Sequence, residues 1–351
     1  MAHRVGMEAS IAIGEAVKLA DVDVVAAYPI TPQTHIVEHI SSLVAEGELD
    51  AEYICVESEH SAMSACMGAA AAGARTFTAT AGQGLELMHE MLYITSAMRL
   101  PVVMTVAARA LSGPLNVWGD HSDVMAARDT GWIQVFVGNG QETFDLTLWA
   151  FRVAEDRRVL LPVMVILDGF NVSHVVEPIE ILEPEDMKGF LPPFQPLYRL
   201  HPDKPVTMGA FAGPELYTET RKAQEMVLRG AEGPILETWE ELARLTGRRY
   251  SPIEEYRTEG AKTLLLTAGT IGETASLAVD RLRERGEKVG LLKLRLWRPF
   301  PFDELRRTTS QAETVIVVDR CLSTGGPGGP MFSEVKSALY DAEPRPRWLA
   351  S

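Results

Sequence analysis

Short apolar segments alternate along this chain with segments of helical pattern, and this alternation constrains the fold more than any other feature. The apolar segments are too short for helices and are rich in β-branched residues, so each one predicts a buried strand. In the first half of the chain they cover residues 22–27, 101–107 and 160–167, and further short strands are expected at residues 53–56 and 76–80. Buried strands that alternate with helices are typical of a parallel sheet covered on both faces. The sequence therefore predicts an α/β fold.

Local signals place helices between these strands. Thr31 is expected to cap a helix that reaches about residue 44, with Pro32 at its first position. Ser58 is expected to cap the next helix, which Gly73 ends. Further helices are expected over residues 7–20 and about 85–98, the latter after a Gly-Gln-Gly turn at 82–84.

Polar residues and glycine come directly after the predicted strands. Thr31, Glu59, Gly82 and Arg109 each follow a different strand. In open parallel sheets, ligands bind outside the carboxyl ends of the strands. We therefore expect these positions to converge on one edge of the sheet.

The second half of the chain predicts a connecting segment and a smaller domain. Residues of about 177–205 are interpreted as an ordered crossing segment or an insertion, and residues 213–249 as mostly helical. A second α/β pattern follows, with strands at 263–268, 288–295 and 314–318 and helices at 271–285, 303–310 and 331–340. We predict a first domain over residues 1–255, which includes a connecting segment over about 177–255, and a second domain over residues 256–351.

Composition excludes several classes of function. The 351 residues are enough for two ordinary domains. A formal net charge of −15 with no long basic run argues against nucleic acid as a partner. No secretion signal is recognisable, and no apolar run reaches the ~20 residues of a membrane span. We expect a cytoplasmic protein that does not bind membranes.

No metal site is expected from the sequence. Cys55, Cys66 and Cys321 are scattered, which argues against both a disulfide framework and an iron–sulfur cluster held by this chain alone. The eight histidines show no ligand spacing. Asp120 and His121 are interpreted as local hydrogen-bonding and interface residues.

Glu59 has two interpretations. An acidic residue in the first turn of a helix is favoured by the helix dipole. A carboxyl group surrounded by Ala62, Met63 and Ala65 also has the apolar setting that raises a pKa for proton-transfer chemistry. The neighbouring Glu57 is interpreted as structural.

Thr31 and Arg109 are also ambiguous from the sequence. Thr31 is either a plain helix cap or a hydrogen-bond donor to a substrate, and the two roles are compatible. Arg109 follows a strand buried over residues 102–108, so its guanidinium needs a partner, either a substrate carboxylate or an ordinary ion pair. Gly82 and Gly84 either let the backbone pass close to a cofactor or form an ordinary turn.

Several segments in the same order resemble the alpha subunit of the 2-oxoacid:ferredoxin oxidoreductases, of which pyruvate:ferredoxin oxidoreductase is the best-known member. They cover residues 28–32, 57–59, 81–85, 108–112, 118–121, 128–132 and 253–258. Residues 298–301, Arg-Pro-Phe-Pro, resemble the C-terminal domain shared with transketolases. The resemblance implies a pyrimidine-type, thiamine-diphosphate-binding parallel-sheet domain, followed by a smaller transketolase C-terminal-like α/β domain.

The resemblance also implies a reaction and a division of labour. A 2-oxoacid, most simply pyruvate, reacts with coenzyme A and oxidised ferredoxin to give acyl-CoA, carbon dioxide and reduced ferredoxin. The alpha subunit binds the aminopyrimidine of thiamine diphosphate, and a beta subunit holds the diphosphate, its Mg²⁺ and iron–sulfur clusters. Gamma and delta subunits and assembly as a dimer of hetero-oligomers are further expectations. This chain has no Gly-Asp-Gly segment followed by an Asn-rich loop, so it is expected to be inactive alone.

The resemblance assigns roles to particular residues. Glu59 is expected to drive the aminopyrimidine to its imino tautomer, which then removes the C2 proton of the cofactor. Thr31 and Arg109 are expected to bind the substrate and, with Glu59, to be catalytic. The expected cofactor contacts are Glu59, Pro29, Ile30, Gly82, Gln83 and Gly84.

Three alternatives stay open at this point. The substrate is either pyruvate or another 2-oxoacid, such as 2-oxoisovalerate, 2-oxoglutarate, oxalate or phenylglyoxylate, because all of them carry the carboxylate that Arg109 would bind. The chain is otherwise a non-catalytic structural subunit of such a complex. A self-sufficient transketolase-like enzyme is disfavoured by the missing diphosphate motif.

Overall fold

A computed structural model of the chain describes residues 3–343 and 346–350. The strands are β1 (His3–Glu8), β2 (Val24–Ala27), β3 (Glu52–Cys55), β4 (Thr76–Thr80), β5 (Val103–Ala108), β6 (Ile133–Phe136), β7 (Val163–Asp168), β8 (Val176–Ile181), β9 (Ile253–Tyr256), β10 (Thr263–Thr267), β11 (Val289–Leu294), β12 (Leu296–Arg298), β13 (Thr314–Val317) and β14 (Arg347–Ala350).

Helices connect most of these strands. They are α1 (Ala9–Leu19), α2 (Thr34–Ala45), α3 (Glu59–Ala72), α4 (Gly82–Leu87), α5 (His89–Ala97), α6 (Ser122–Ala126), α7 (Gly140–Ala154), α8 (Pro184–Phe190), α9 (Pro214–Gly230), α10 (Glu232–Thr246), α11 (Ile271–Glu284), α12 (Phe302–Thr309) and α13 (Pro330–Ala338).

A large, mostly parallel sheet forms the centre of the first domain. Within the described residues its strand order is β12-β6-β7-β5-β4-β2-β3, and β12 alone runs antiparallel to its neighbour. Side chains alternate between the two faces, as the strand period requires. Phe77 and Val165 pack in one core with α1 and α7, whereas Met104 and Ile166 pack in a second core with α3 and α5. The predicted parallel sheet covered on both faces is confirmed.

The helix α3 begins and ends where local chemistry predicts. The Ser58 hydroxyl oxygen accepts a hydrogen bond from the backbone N–H of Ser61 at 3.3 Å, as an N-cap does. Gly73 ends the helix in the left-handed conformation with φ of 104°, which glycine adopts without steric cost. This helix places Glu59 in its first turn.

Three predicted helix starts are wrong. The helix predicted at about 85–98 begins earlier, because Gly82-Gln83-Gly84 forms the first turn of α4, and Met88 separates α4 from α5. Residues 7 and 8 belong to β1, which pairs antiparallel with β8, so the first helix begins at Ala9. The helix α2 begins at Thr34 after Gln33, so Thr31 does not cap it and Pro32 is not its first residue. The buried Gln33 side chain instead accepts the N–H of Ile30 at 3.1 Å and donates to the carbonyl of Ala79 on β4 at 2.8 Å. This long-range contact outweighs the local cap signal.

A second sheet follows in sequence, with the order β14-β13-β10-β11-β9 among the described residues. Its strands β10, β11 and β13 and the helices α11, α12 and α13 agree with the predicted second α/β pattern, whereas β9 and β14 were not predicted. The predicted boundary between residues 255 and 256 falls inside β9. The chain then returns to the first domain, because β12 adds to the edge of the large sheet beside β6.

Candidate active site

The strand order of the large sheet brings the candidate residues to one edge. The strands β3, β2, β4 and β5 are neighbours in that order and run parallel. Glu59, Thr31, Gly82 and Arg109 follow these strands, so they lie side by side at the carboxyl edge. This is the edge at which α/β sheets bind ligands.

Glu59 is almost completely buried, with 5% of its surface exposed. No described residue donates a hydrogen bond to its carboxylate. The carboxylate lies against Gly84: a Cβ atom built on Gly84 would be 2.5 Å from Oε1 of Glu59 and 2.5 Å from Oγ1 of Thr80. Glycine at position 84 therefore makes room for the carboxylate, which is buried and free to accept hydrogen bonds from a ligand.

Arg109 lies over the first turn of α4. Gly82 has φ of +48°, and a Cβ atom there would overlap Nε of Arg109, so only glycine fits. The Nη2 group donates to Oε1 of Gln83 at 3.1 Å, whereas Nε is buried without a partner among the described residues. Burial lowers the pKa of the Arg109 guanidinium, and the carboxylates of Asp123 and Glu59 act in the opposite direction. The partly unpaired guanidinium can bind an anion.

Asp123 hydrogen-bonds both the start of α4 and the residue after β5, and it was not identified from the sequence. Its Oδ2 atom accepts the backbone N–H of Gly82 at 2.8 Å and that of Arg109 at 3.0 Å. Burial raises the pKa of this carboxyl to about 7, although the N–H groups of Arg109, Gly82 and Val124 act to lower it. Asp123 lies two residues after His121, just past the segment over residues 118–121, and this proximity was the available signal.

The segment over residues 28–32 is more open. Pro29 and Thr31 are exposed and Ile30 is partly buried. The Thr31 hydroxyl makes no hydrogen bond with the described residues, so it is not tied to Glu59 or Arg109. Pro32 packs against Gly169, where a Cβ atom would be 2.6 Å from Cγ of Pro32. The structure thus brings Glu59, Gly82, Gln83, Gly84 and Arg109 into one cluster and leaves Pro29, Ile30 and Thr31 on its rim.

His121 and Asp168 join the site to the second domain. The imidazole Nε2 lies 2.7 Å from Oδ1 of Asp168, and both residues are buried. Oδ2 of Asp168 accepts the N–H of Thr270 at 2.7 Å and pairs with Arg320 at the same distance. Burial raises the pKa of Asp168, but His121, Arg320 and Thr270 together hold it well below its usual range. This network fixes the second domain against the carboxyl end of β7.

Three further properties of the described chain bear on the site. Across residues 3–343 and 346–350 no group of three or more His, Cys, Asp or Glu side chains is placed to hold a metal ion. In the same part of the chain no helix has the length and apolar character needed to cross a bilayer. A cavity of about 740 Å³ lies between α9 and α12, and none of Glu59, Thr31 or Arg109 lines it.

Comparison with protein families identifies both domains. The family described as "Pyruvate flavodoxin/ferredoxin oxidoreductase, thiamine diP-bdg" matches residues 15–236. The family described as "Pyruvate:ferredoxin oxidoreductase core domain II" matches residues 261–349. The fold and the matches thus define the class as thiamine diphosphate-binding oxidoreductases of two α/β domains.

Sequence identity to individual proteins makes the family assignment more specific. The pyruvate synthase subunit PorA of Methanocaldococcus jannaschii is 50% identical over 331 residues, which cover 93% of this chain and 85% of that protein. The ketoisovalerate oxidoreductase subunit VorA of Pyrococcus horikoshii is 45% identical, covering 93% and 83%. The chain belongs to the 2-oxoacid:ferredoxin oxidoreductase family, as an alpha subunit of the pyruvate:ferredoxin oxidoreductase type.

Solved structures confirm the predicted fold. A 2-oxoglutarate:ferredoxin oxidoreductase from Magnetococcus marinus superposes with a TM-score of 0.73 at 20% identity, over 99% of this chain and 62% of that chain. A split-gene transketolase superposes with a TM-score of 0.58 at 13% identity, over 99% and 89%. At these identities the likeness concerns the fold alone.

Proposed function

We propose that this chain, in a complex with partner subunits, catalyses the oxidative decarboxylation of pyruvate with coenzyme A to acyl-CoA, carbon dioxide and reduced ferredoxin. The observation that carries the proposal is the buried Glu59 carboxylate, held against Gly84 beside Arg109 at one edge of the sheet. A carboxylate in such a setting suits proton transfer better than a structural role.

The described residues fit the aminopyrimidine end of thiamine diphosphate. The Glu59 carboxylate has no donor within the described part of the chain, so it can pair with a ring nitrogen. When bound, the cofactor supplies the nucleophilic carbon that attacks the keto group of the substrate. Glu59 would hold a proton at the ring nitrogen, and Gly82, Gln83, Gly84, Pro29 and Ile30 would line the ring.

Arg109 is proposed to bind the substrate carboxylate. Its guanidinium is already held by Gln83 through Nη2, while Nε has no partner in the described residues. A substrate carboxylate would supply the missing acceptor in a charge-assisted pair. The exposed Thr31 hydroxyl lies on the rim and would donate to the carboxylate or the keto oxygen.

The remaining groups are proposed to come from other chains. A beta subunit would hold the diphosphate, Mg²⁺ and iron–sulfur clusters, and gamma and delta subunits would complete a dimer of hetero-oligomers that reduces ferredoxin. The curated relatives are named as subunits, which supports partners in general. The three cysteines are free, as is typical of the reducing cytoplasm, where we place the complex. We also propose two domains that meet near residue 255.

A branched 2-oxoacid is the second candidate substrate. The ketoisovalerate relative is 45% identical and the pyruvate synthase relative 50%, so overall identity separates the two substrates poorly. Arg109 would bind either one, because both carry the same carboxylate. Measuring kcat/KM of the complex for pyruvate and for 2-oxoisovalerate decides between them: a preference for the branched acid would remove the pyruvate assignment.

Glu59→Gln in the assembled complex tests the proposed chemistry. The amide keeps the shape but cannot hold the proton, so turnover should fall by roughly 10²-fold to 10⁴-fold, the usual range for acid–base groups. Glu57→Gln is the matched control, since Glu57 is exposed and its carboxylate accepts a hydrogen bond from the Ser61 hydroxyl. Assembly should be retained in both variants. Near-normal turnover of Glu59→Gln would remove the proposal.

A further inference from the structure

The last residue of β4, Thr80, carries a hydroxyl group without a partner in the described structure. Its side chain is fully buried, and Oγ1 makes no hydrogen bond with the described residues. We propose that Thr80 is a positioning residue whose hydroxyl orients the Glu59 carboxylate. This inference rests on the function proposed above, because it concerns the same site.

The geometry around Gly84 brings the two side chains together. Oγ1 of Thr80 and Oε1 of Glu59 each lie 2.5 Å from the point that a Cβ atom on Gly84 would occupy, so they are at most about 5 Å apart. Both groups are buried, and neither has another hydrogen-bond partner in the described chain. An approach of at most about 2 Å between the two oxygens would bring the hydroxyl within bonding distance of the carboxylate.

A hydrogen bond from Thr80 to Glu59 would give both buried groups a partner. A buried hydroxyl without an acceptor and a buried carboxylate without donors are both costly. A hydrogen bond to Oε1 would satisfy the hydroxyl and stop the carboxylate from rotating, which leaves Oε2 for the cofactor ring. Thr80 would therefore fix the direction of the catalytic carboxylate without touching the substrate.

Other threonines on the same sheet offer a matched comparison. Thr78 lies two residues earlier on β4, is also fully buried, and its hydroxyl also has no partner among the described residues. Side chains two residues apart on a strand share a face but lie roughly 7 Å apart. Thr78 thus reproduces the burial of Thr80 without its nearness to Glu59.

The experiment compares Thr80→Val, Thr80→Ser and Thr78→Val in the assembled complex. Valine keeps the shape and removes the hydroxyl, so Thr80→Val should lower kcat roughly 10-fold to 100-fold, as expected for a hydrogen bond to a charged group. The KM for pyruvate should stay within about twofold, because Arg109 is untouched, and the Kd for thiamine diphosphate should rise about tenfold by calorimetric titration of the cofactor-free complex. Thr80→Ser should restore both values and Thr78→Val should change neither.

Equal kcat and equal Kd for thiamine diphosphate in Thr80→Val and Thr78→Val would overturn the inference. If Thr80→Val fails to assemble, Thr80→Ser and Thr80→Ala decide, since they differ only in the hydroxyl: equal kcat and equal cofactor affinity in that pair also overturn it. Glu59→Gln separates this outcome from failure of the proposed function. An inactive Glu59→Gln with normal Thr80 variants removes only the role of Thr80, whereas an active Glu59→Gln removes both.

Discussion

Gly84→Ala is the change that tests the site most directly. Gly84 is the third residue of α4 and has an ordinary helical backbone, so alanine itself is permitted there. The added methyl group would be 2.5 Å from both Oε1 of Glu59 and Oγ1 of Thr80. Ordinary contacts to a Cβ atom begin at 3.4 Å, so the carboxylate must retreat by about 0.9 Å.

A displacement of this size should lower the catalytic rate strongly and the free energy of unfolding only slightly. A misplacement of about 1 Å lowers the rate by roughly 10²-fold where orientation matters. Alanine has the better helix propensity, worth up to about 1 kcal/mol, which offsets part of the strain in the free energy of unfolding. We therefore expect about a 100-fold loss in kcat/KM with little change in the unfolding midpoint.

The assay is steady-state turnover of 2-oxoacid by the assembled complex, together with urea unfolding of the same preparation. Gly68→Ala is the control, because Gly68 is exposed in the middle of α3 and nothing lies within 4 Å of its Cβ position. It should leave kcat/KM unchanged and raise stability slightly. Full activity of Gly84→Ala would show that the carboxylate need not lie where the structure has it, and the reasoning would be refuted.

Three further substitutions test the supporting structure. Asp123→Ala leaves the buried N–H groups of Gly82 and Arg109 unpaired, at about 1–3 kcal/mol each, so the urea midpoint should fall and the KM for the 2-oxoacid should rise; an unchanged KM would contradict the positioning of Arg109 by Asp123. Asp168→Asn should be destabilising at pH 7. Because the pKa of Asp168 in the folded protein is depressed, the stability that its charge contributes is present above the unfolded pKa near 3.9 and is lost as pH falls further. The urea midpoints of Asp168→Asn and the unsubstituted protein should therefore converge below about pH 4. A difference between the two midpoints that stays constant with pH would argue against the ion pair. Ser58→Ala removes the α3 cap and should lower the free energy of unfolding by about 1 kcal/mol. An unchanged free energy of unfolding would mean that the cap does not stabilise the protein.

The parts of the fold that depend on neighbouring residues were predicted well. Ser58 and Gly73 mark the ends of α3 because capping and a left-handed glycine act within one turn of the helix. The strand predicted at residues 76–80 is confirmed as β4, which is buried along its whole length. The Thr31 cap failed because Gln33 is bonded to Ala79, 46 residues away, a contact that no local pattern contains.

The sequence singled out candidate residues for the site but not the geometry that brings them together. The sequence indicated that Glu59, Gly82 and Arg109 each follow a strand, and the structure confirms the burial of Glu59 and Arg109. Asp123 was missed, because its backbone partners Gly82 and Arg109 lie 41 and 14 residues away in the sequence. The partnerless hydroxyl of Thr80 was equally hidden, because its distance from Glu59 depends on how β4 and α3 pack.

The sequence by itself determined the approximate positions of β2, β4, β5 and β7 and both ends of α3, because strand period, caps and glycine conformations are local. Only the tertiary structure decided that β3, β2, β4 and β5 lie next to one another, and that β12 leaves its own domain to pair with β6. The physical reason is that strand order and side-chain approach depend on packing between segments distant in sequence. The contact of the Glu59 carboxylate with Gly84 is such an approach, and no local pattern encodes it.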